Sequence, residues 1–151
     1  MRGGPAHYPD HMADGDLDIP QSSWAAARAG LAADVRRVVD RLRGLSQARL
    51  AAGAPPHQSR AAAARRAAQL IADAAQGIEE HDGDIEPAWR TLPTLHDFAV
   101  GDQVAVTGQD LLIAAAEVAP DTPVWARGRR RTAHEVLADA ATQLGELRRL
   151  L

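Results

Sequence analysis

The stretch Phe98-Ala-Val-Gly-Asp-Gln-Val-Ala-Val106 decides the fold class, because it reads in two ways. As strand, it is two short apolar runs around a Gly-Asp turn. As helix, it opens a longer stripe: Gly101, Val104, Gly108, Leu111, Ala115 and Val118 recur at intervals of 3, 4, 3, 4 and 3, which places them on one helical face. A lone hairpin needs further strands or a packed face, and no other convincing strand is legible in the chain. The helical reading therefore prevails, with Thr94-Leu-His-Asp97 as a start resembling a capping box.

Working outward, the flanking segments repeat the same periodicity. Upstream, Leu31, Val35, Val38, Leu42 and Leu45 lie on one stripe of a helix expected from Trp24 to about Leu45, capped by Ser22 or Ser23. Ser46 caps one more turn through Leu50, and Gly53, Pro55 and Pro56 stop the chain. A second helix is expected from Ser59 to about Glu80, with a thin, alanine-rich stripe of Ala67, Leu70 or Ile71, Ala74 and Ile78. Residues 81–94 and 119–131 read as loops. The last helix opens on Thr132-Ala-His-Glu135, a capping box, and carries Ala133, Leu137, Ala140, Leu144, Leu147 and Leu151 at intervals of 4 and 3. Residues 1–21, punctuated by Gly and Pro and rich in Asp, read as a disordered acidic tail. The expected architecture is all-α: an antiparallel four-helix bundle over residues 22–151, in which near-heptad stripes favour shallow crossing angles.

Composition narrows the function classes. A chain of 151 residues is one domain by size and buries a sizeable core. With no cysteine it has neither disulfides nor thiolate metal sites. No run of about 18 apolar residues spans a membrane, and the acidic N-terminus is no secretory signal, so a cytoplasmic location is the expectation. All 17 basic residues are Arg, and Ala dominates, a bias from which a high-GC genome is expected. A net charge of −3 argues against bulk binding of nucleic acid or anionic membrane.

Four sets of residues carry candidate chemistry. Arg127, Arg129, Arg130 and Arg131 precede a helix N-terminus, whose partial positive charge also favours anions, so a phosphate or an acidic partner could dock there. Gly101 and Gly108 open space on a core stripe, either for close helix approach or for a small cavity walled by Phe98, Val104 and Gln109. Trp24, Trp89 and Trp125 suit either an interface or the plugging of the bundle's ends. His7 and His11 have i, i+4 metal spacing, but lie in the tail. The acidic loops 14–18 and 82–86 lack the Gly and Glu positions of a calcium loop, so no metal or other cofactor is expected.

The segment Val100-Gly-Asp-Gln-Val-Ala-Val-Thr-Gly-Gln-Asp-Leu-Leu112, with Pro123-Val-Trp-Ala-Arg-Gly128, resembles a group of uncharacterised helical proteins of actinobacteria. That resemblance implies a helical fold from Trp24 to Leu151 and no particular activity. The style of Thr132-Ala-His-Glu-Val-Leu137 is also similar to the DinB and mycothiol-dependent enzyme superfamily, which implies a four-helix bundle with a divalent metal held by histidines on separate helices. The first two helices here hold no interior histidine onto which that triad maps. The reading that follows is a non-catalytic helical binding or interaction module, with a homodimer or another protein as partner. The alternatives are a metal-dependent DinB-like transferase and a regulator contacting an anionic partner through residues 127–131.

Overall fold

The computed structural model describes Gly4 and residues 19–151. The described residues are mostly helical, with five helices and one two-stranded sheet. Helix α1 runs Gln21–Arg43, α2 Gln47–Ala51, α3 Arg60–Glu79, α4 Val100–Ala116 and α5 Ala133–Leu150; β1 (Pro123–Ala126) and β2 (Arg129–Thr132) precede α5.

The contested stretch is helical. Asp97–Ala99 form a single 3-10 turn that leads into α4, whereas Thr94 lies outside the helix and caps nothing. Gly101, Val104, Gly108, Leu111 and Ala115 are all buried, as the stripe requires. Serine caps form at two helix starts, the expected one at Ser46 and one at Ser59. Ser46 Oγ accepts from Arg49 N (3.3 Å) and Ser59 Oγ from Ala62 N (3.0 Å). The expected cap at Ser22 or Ser23 does not form: α1 starts earlier, at Gln21 behind Pro20, with no side-chain cap, and the Ser23 and Trp24 amides donate to Pro20 O within the first turn. Thr132 and Glu135 make the reciprocal capping box of α5.

One expected loop is structured. Within residues 119–131, β1 and β2 pair antiparallel with Ala126 opposite Arg129, leaving Arg127-Gly128 as the turn. Gly128 takes φ +79°, a left-handed conformation open to glycine at no steric cost. The strands escaped the sequence reading because β2 is Arg-Arg-Arg-Thr, with no apolar alternation to betray it. Four-residue strands are marginal alone; these are held by Val124, fully buried, and by side-chain anchors described below.

The four longer helices share one core, α4 packing on α1 and α3, and α5 on α1 and α3. Their directions follow from the contacts at their ends. Trp24, at the start of α1, donates to Val118 O beyond the end of α4 (3.1 Å), and its ring lies 6.3 Å from that of His134, at the start of α5. At the other end, Arg43 meets Asp102 and Arg41 reaches Leu151 O. Arg60, opening α3, donates to Leu150 O (2.8 Å), and Arg65 pairs with Asp97 beside the start of α4. So α1 runs with α5, and α3 with α4. The expected alternation of direction is corrected for the α3–α4 pair: the connection of residues 80–96 returns along α3 from Gln76 to Arg65 before α4 begins.

Candidate functional site

That return segment is laid down by a polar ridge on α3. Arg65, Gln69, Asp73 and Gln76 recur at intervals of 4, 4 and 3, so they share a face. Gln76 donates Nε2–H to Ala88 O (2.9 Å) and accepts Arg90 N–H at Oε1 (3.0 Å). Gln69 does the same one step on, donating to Arg90 O (3.0 Å) and accepting from Leu92 N–H (2.9 Å). Each carboxamide thus replaces the neighbouring strand that this extended backbone lacks, and backbone polar groups laid against a protein surface require such partners. Arg65 completes the row at Leu95 O and Asp97, both at 2.7 Å.

The fourth member, Asp73, accepts from Arg127 Nε (2.7 Å) and Nη2 (3.0 Å) and so ties the hairpin turn to α3. That hydrogen bond holds the Arg127 guanidinium above its ordinary pKa. The Arg127 guanidinium carbon lies 5.2 Å from the Trp89 ring centroid, a cation–π distance. Glu86 accepts from Gly128 N (2.7 Å) and Trp89 Nε1 (2.8 Å), and these two bonds hold its carboxyl below the ordinary carboxylate range. Arg130 stacks over Trp125 (3.9 Å) and donates to His81 O (2.6 Å), while Trp125 Nε1 donates to Gly83 O (3.1 Å). Arg131 pairs with Asp139 and Glu135 of α5; the Asp139 bond raises its pKa. Of the predicted anion-binding run, only Arg129 forms no ion pair and no side-chain hydrogen bond among the described residues. The other three arginines fasten the hairpin to α3, α5 and the 81–86 turn.

Beneath the hairpin, α3 and α5 part to leave a cavity of about 250 Å³. Leu70, Ala74, Val136 and Ala140 form an apolar floor, and Trp89 and Trp125 flank it. The Arg127–Asp73 and Arg131–Asp139 pairs stand at its rim with their charges matched. A concave apolar site with a few fixed polar groups is the general form of a ligand pocket. A second cavity, about 300 Å³, lies further along the same seam, with Ala63, Ala67, Leu147 and Leu150 in its lining.

The remaining predicted residues are distributed differently. Gly101 and Gly108 serve close helix approach: a Cβ on Gly108 would meet both Val35 methyls at 2.8 Å, and one on Gly101 would meet Arg43 Cγ at 3.2 Å. Phe98 and Gln109 are exposed and Val104 is fully buried, so these five residues do not surround a common cavity. Trp24 is buried and plugs one end of the helices, leaving Trp89 and Trp125 accessible. His7 and His11 lie outside the described residues. Among the described residues no group of three or more His, Asp or Glu side chains is placed to hold a metal ion, and no helix is long and apolar enough to cross a membrane. The glutamine ladder and Asp73 were missed by the sequence reading. The signal was present as Gln69, Asp73 and Gln76 on one face of an otherwise alanine-rich helix.

No family model matches the chain, and no curated protein or solved structure matches it.

Proposed function

We propose that the chain is a non-catalytic binding module, built on a four-helix bundle of α1, α3, α4 and α5, that takes an apolar group into the Trp89–Trp125 cavity. The single observation supporting this is the cavity's composition: an apolar floor and two tryptophan walls, with every arginine at the rim already paired to a carboxylate. A rim neutralised in this way offers little to a free anion, so the reading favours uncharged apolar surface over the anionic partner considered for residues 127–131. Its size supports the same view. A cavity of about 150 Å³ accommodates benzene, and about 250 Å³ suits a two-ring aromatic or a large apolar side chain.

Indole is a suitable neutral probe. In ¹H–¹⁵N spectra, its titration is expected to move the indole N–H signals of Trp89 and Trp125 and leave that of buried Trp24 unmoved. No movement, or equal movement of all three, would sink the proposal.

A further inference from the structure

The two cavities on the α3–α5 seam are related by a translation. Leu70, Asp73 and Ala74 of the upper cavity correspond to Ala63, Arg66 and Ala67 of the lower, each seven residues away. On α5, Val136, Asp139 and Ala140 correspond to Gln143, Glu146 and Leu147, again at an interval of seven. Both walls therefore repeat by one heptad, about 10.5 Å along a helix. Two helices that repeat together in this way form successive holes, and a third helix fills such holes with side chains at i and i+7. A small molecule would have no need of the second cavity.

The chain itself carries a helix of that pattern. Val106 and Ile113 of α4 are seven residues apart and, though large and apolar, 61% and 56% exposed. The helix is acidic and contains no Arg. Asp97 and Asp102 pair within the chain, whereas Asp110 and Glu117, which flank Ile113, are exposed and form no ion pair among the described residues. The lower cavity has the complementary charge: exposed Arg66 and Arg149 stand at its rim, also without ion pairs among the described residues, against a single acid, Glu146.

We infer that the α3–α5 groove receives α4 of a second copy of this chain, with Ile113 in the lower cavity between Arg66 and Arg149 and Val106 in the upper one. This rests on the binding reading above and names its partner. Because α4 packs on α1 and α3 rather than α5, knob and groove lie on different sides of one copy. The contact is therefore heterologous, and repetition leads to rings or open chains rather than a twofold dimer.

The test uses two folded variants of the full chain, Val106→Glu/Ile113→Glu and Arg66→Glu/Arg149→Glu. All four positions are exposed, and circular dichroism verifies that the helices persist. By light scattering, the wild type is expected to exceed its 16.1 kDa monomer mass increasingly with concentration. Each variant alone is expected to remain monomeric, since one half of the contact is spoiled. The α4 variant keeps an intact groove and the groove variant an intact α4, so an equimolar mixture is expected to form a one-to-one heterodimer and nothing larger. A monomeric wild type, a variant that self-associates as the wild type does, or a mixture that stays monomeric overturns the inference. A monomeric wild type that binds a separate amphipathic peptide, apolar at i and i+7, assigns the groove to another protein and equally overturns it. Indole shifts at Trp89 and Trp125 in a monomeric chain would leave the binding reading standing while this inference falls.

Discussion

Gly77 of α3 lies directly against the backbone of Trp125 in β1: a Cβ added at Gly77 would overlap the Trp125 carbonyl oxygen and come within 3.0 Å of its carbonyl carbon. The hairpin can cross α3 only because residue 77 has no side chain. In Gly77→Ala, the gain of about 1 kcal/mol in helix propensity is opposed by a clash with backbone that cannot rotate away, typically about 1–3 kcal/mol or more. The clash is expected to win. The variant should unfold at lower temperature, and its Trp89 and Trp125 emission should shift as the hairpin lifts from α3. Unchanged emission and stability would refute the arrangement.

Gly108 poses the same question against a side chain. Gly108→Ala meets both methyls of Val35 and should destabilise by about 1–3 kcal/mol. Val35→Ala in the same chain removes the obstruction, so the double variant should be more stable than the sum of the singles, with a coupling of about 0.5–3 kcal/mol. Urea denaturation of the four chains measures it.

Gly30 and Gly145 lie inside helices with nothing within 4 Å of an added Cβ. Here propensity acts unopposed, so Gly30→Ala and Gly145→Ala are each expected to stabilise by up to about 1 kcal/mol. Thermal unfolding of the two variants tests whether their surroundings are open.

The glutamine ladder makes a site-resolved prediction. Gln76 is buried, and Gln76→Ala leaves Ala88 O and Arg90 N–H without their partner, a loss of about 1–3 kcal/mol. Hydrogen exchange should accelerate at the Arg90 amide. Gln69→Ala should instead accelerate exchange at Leu92. Equal protection in both variants would show that the carboxamides do not hold the segment.

Glu86 sets a pH dependence. Its pKa is lowered in the fold, first by the Gly128 N–H bond and then by that of Trp89. A lowered folded pKa means that the stabilisation is fully present above the unfolded value and is lost as pH falls from that value through the folded one. Acidification below the ordinary range of a glutamate should therefore loosen the hairpin turn, seen as a change in Trp89 emission. Glu86→Gln should remove most of that acid-side transition, and a transition of undiminished size would assign it to another group.

The helices were legible because their signals are local. The stripe through Leu31, Val35, Val38, Leu42 and Leu45, the serine cap at 46 and the capping box at 132 depend on neighbours within one or two turns. The ambiguous Phe98–Val106 resolved as helix for the same reason: its stripe continues to Ala115, whereas a hairpin there would have lacked a sheet to join. The candidate site was not legible, since its parts come from residues far apart in the chain. Asp73 and Arg127 are 54 residues apart, and no local pattern in Val-Trp-Ala-Arg-Gly-Arg-Arg-Arg-Thr132 identifies what each arginine will meet.

By itself, then, the sequence determined which segments are helical, which of their faces are apolar, and the starts of α2 and α5, because capping and periodicity are short-range properties of the chain. Tertiary structure alone decided that α3 and α4 run in the same direction, that an arginine-rich loop becomes a hairpin, that Gly77 lies against the Trp125 backbone, and that Gly108 admits Val35 rather than lining a cavity. It also turned a glutamine pair on an alanine-rich helix into backbone partners for Ala88, Arg90 and Leu92. Each of these outcomes pairs groups distant in sequence, and the side chains that drive them, Gln, Arg, Asp and Trp, are ones whose role is fixed by the partner they reach.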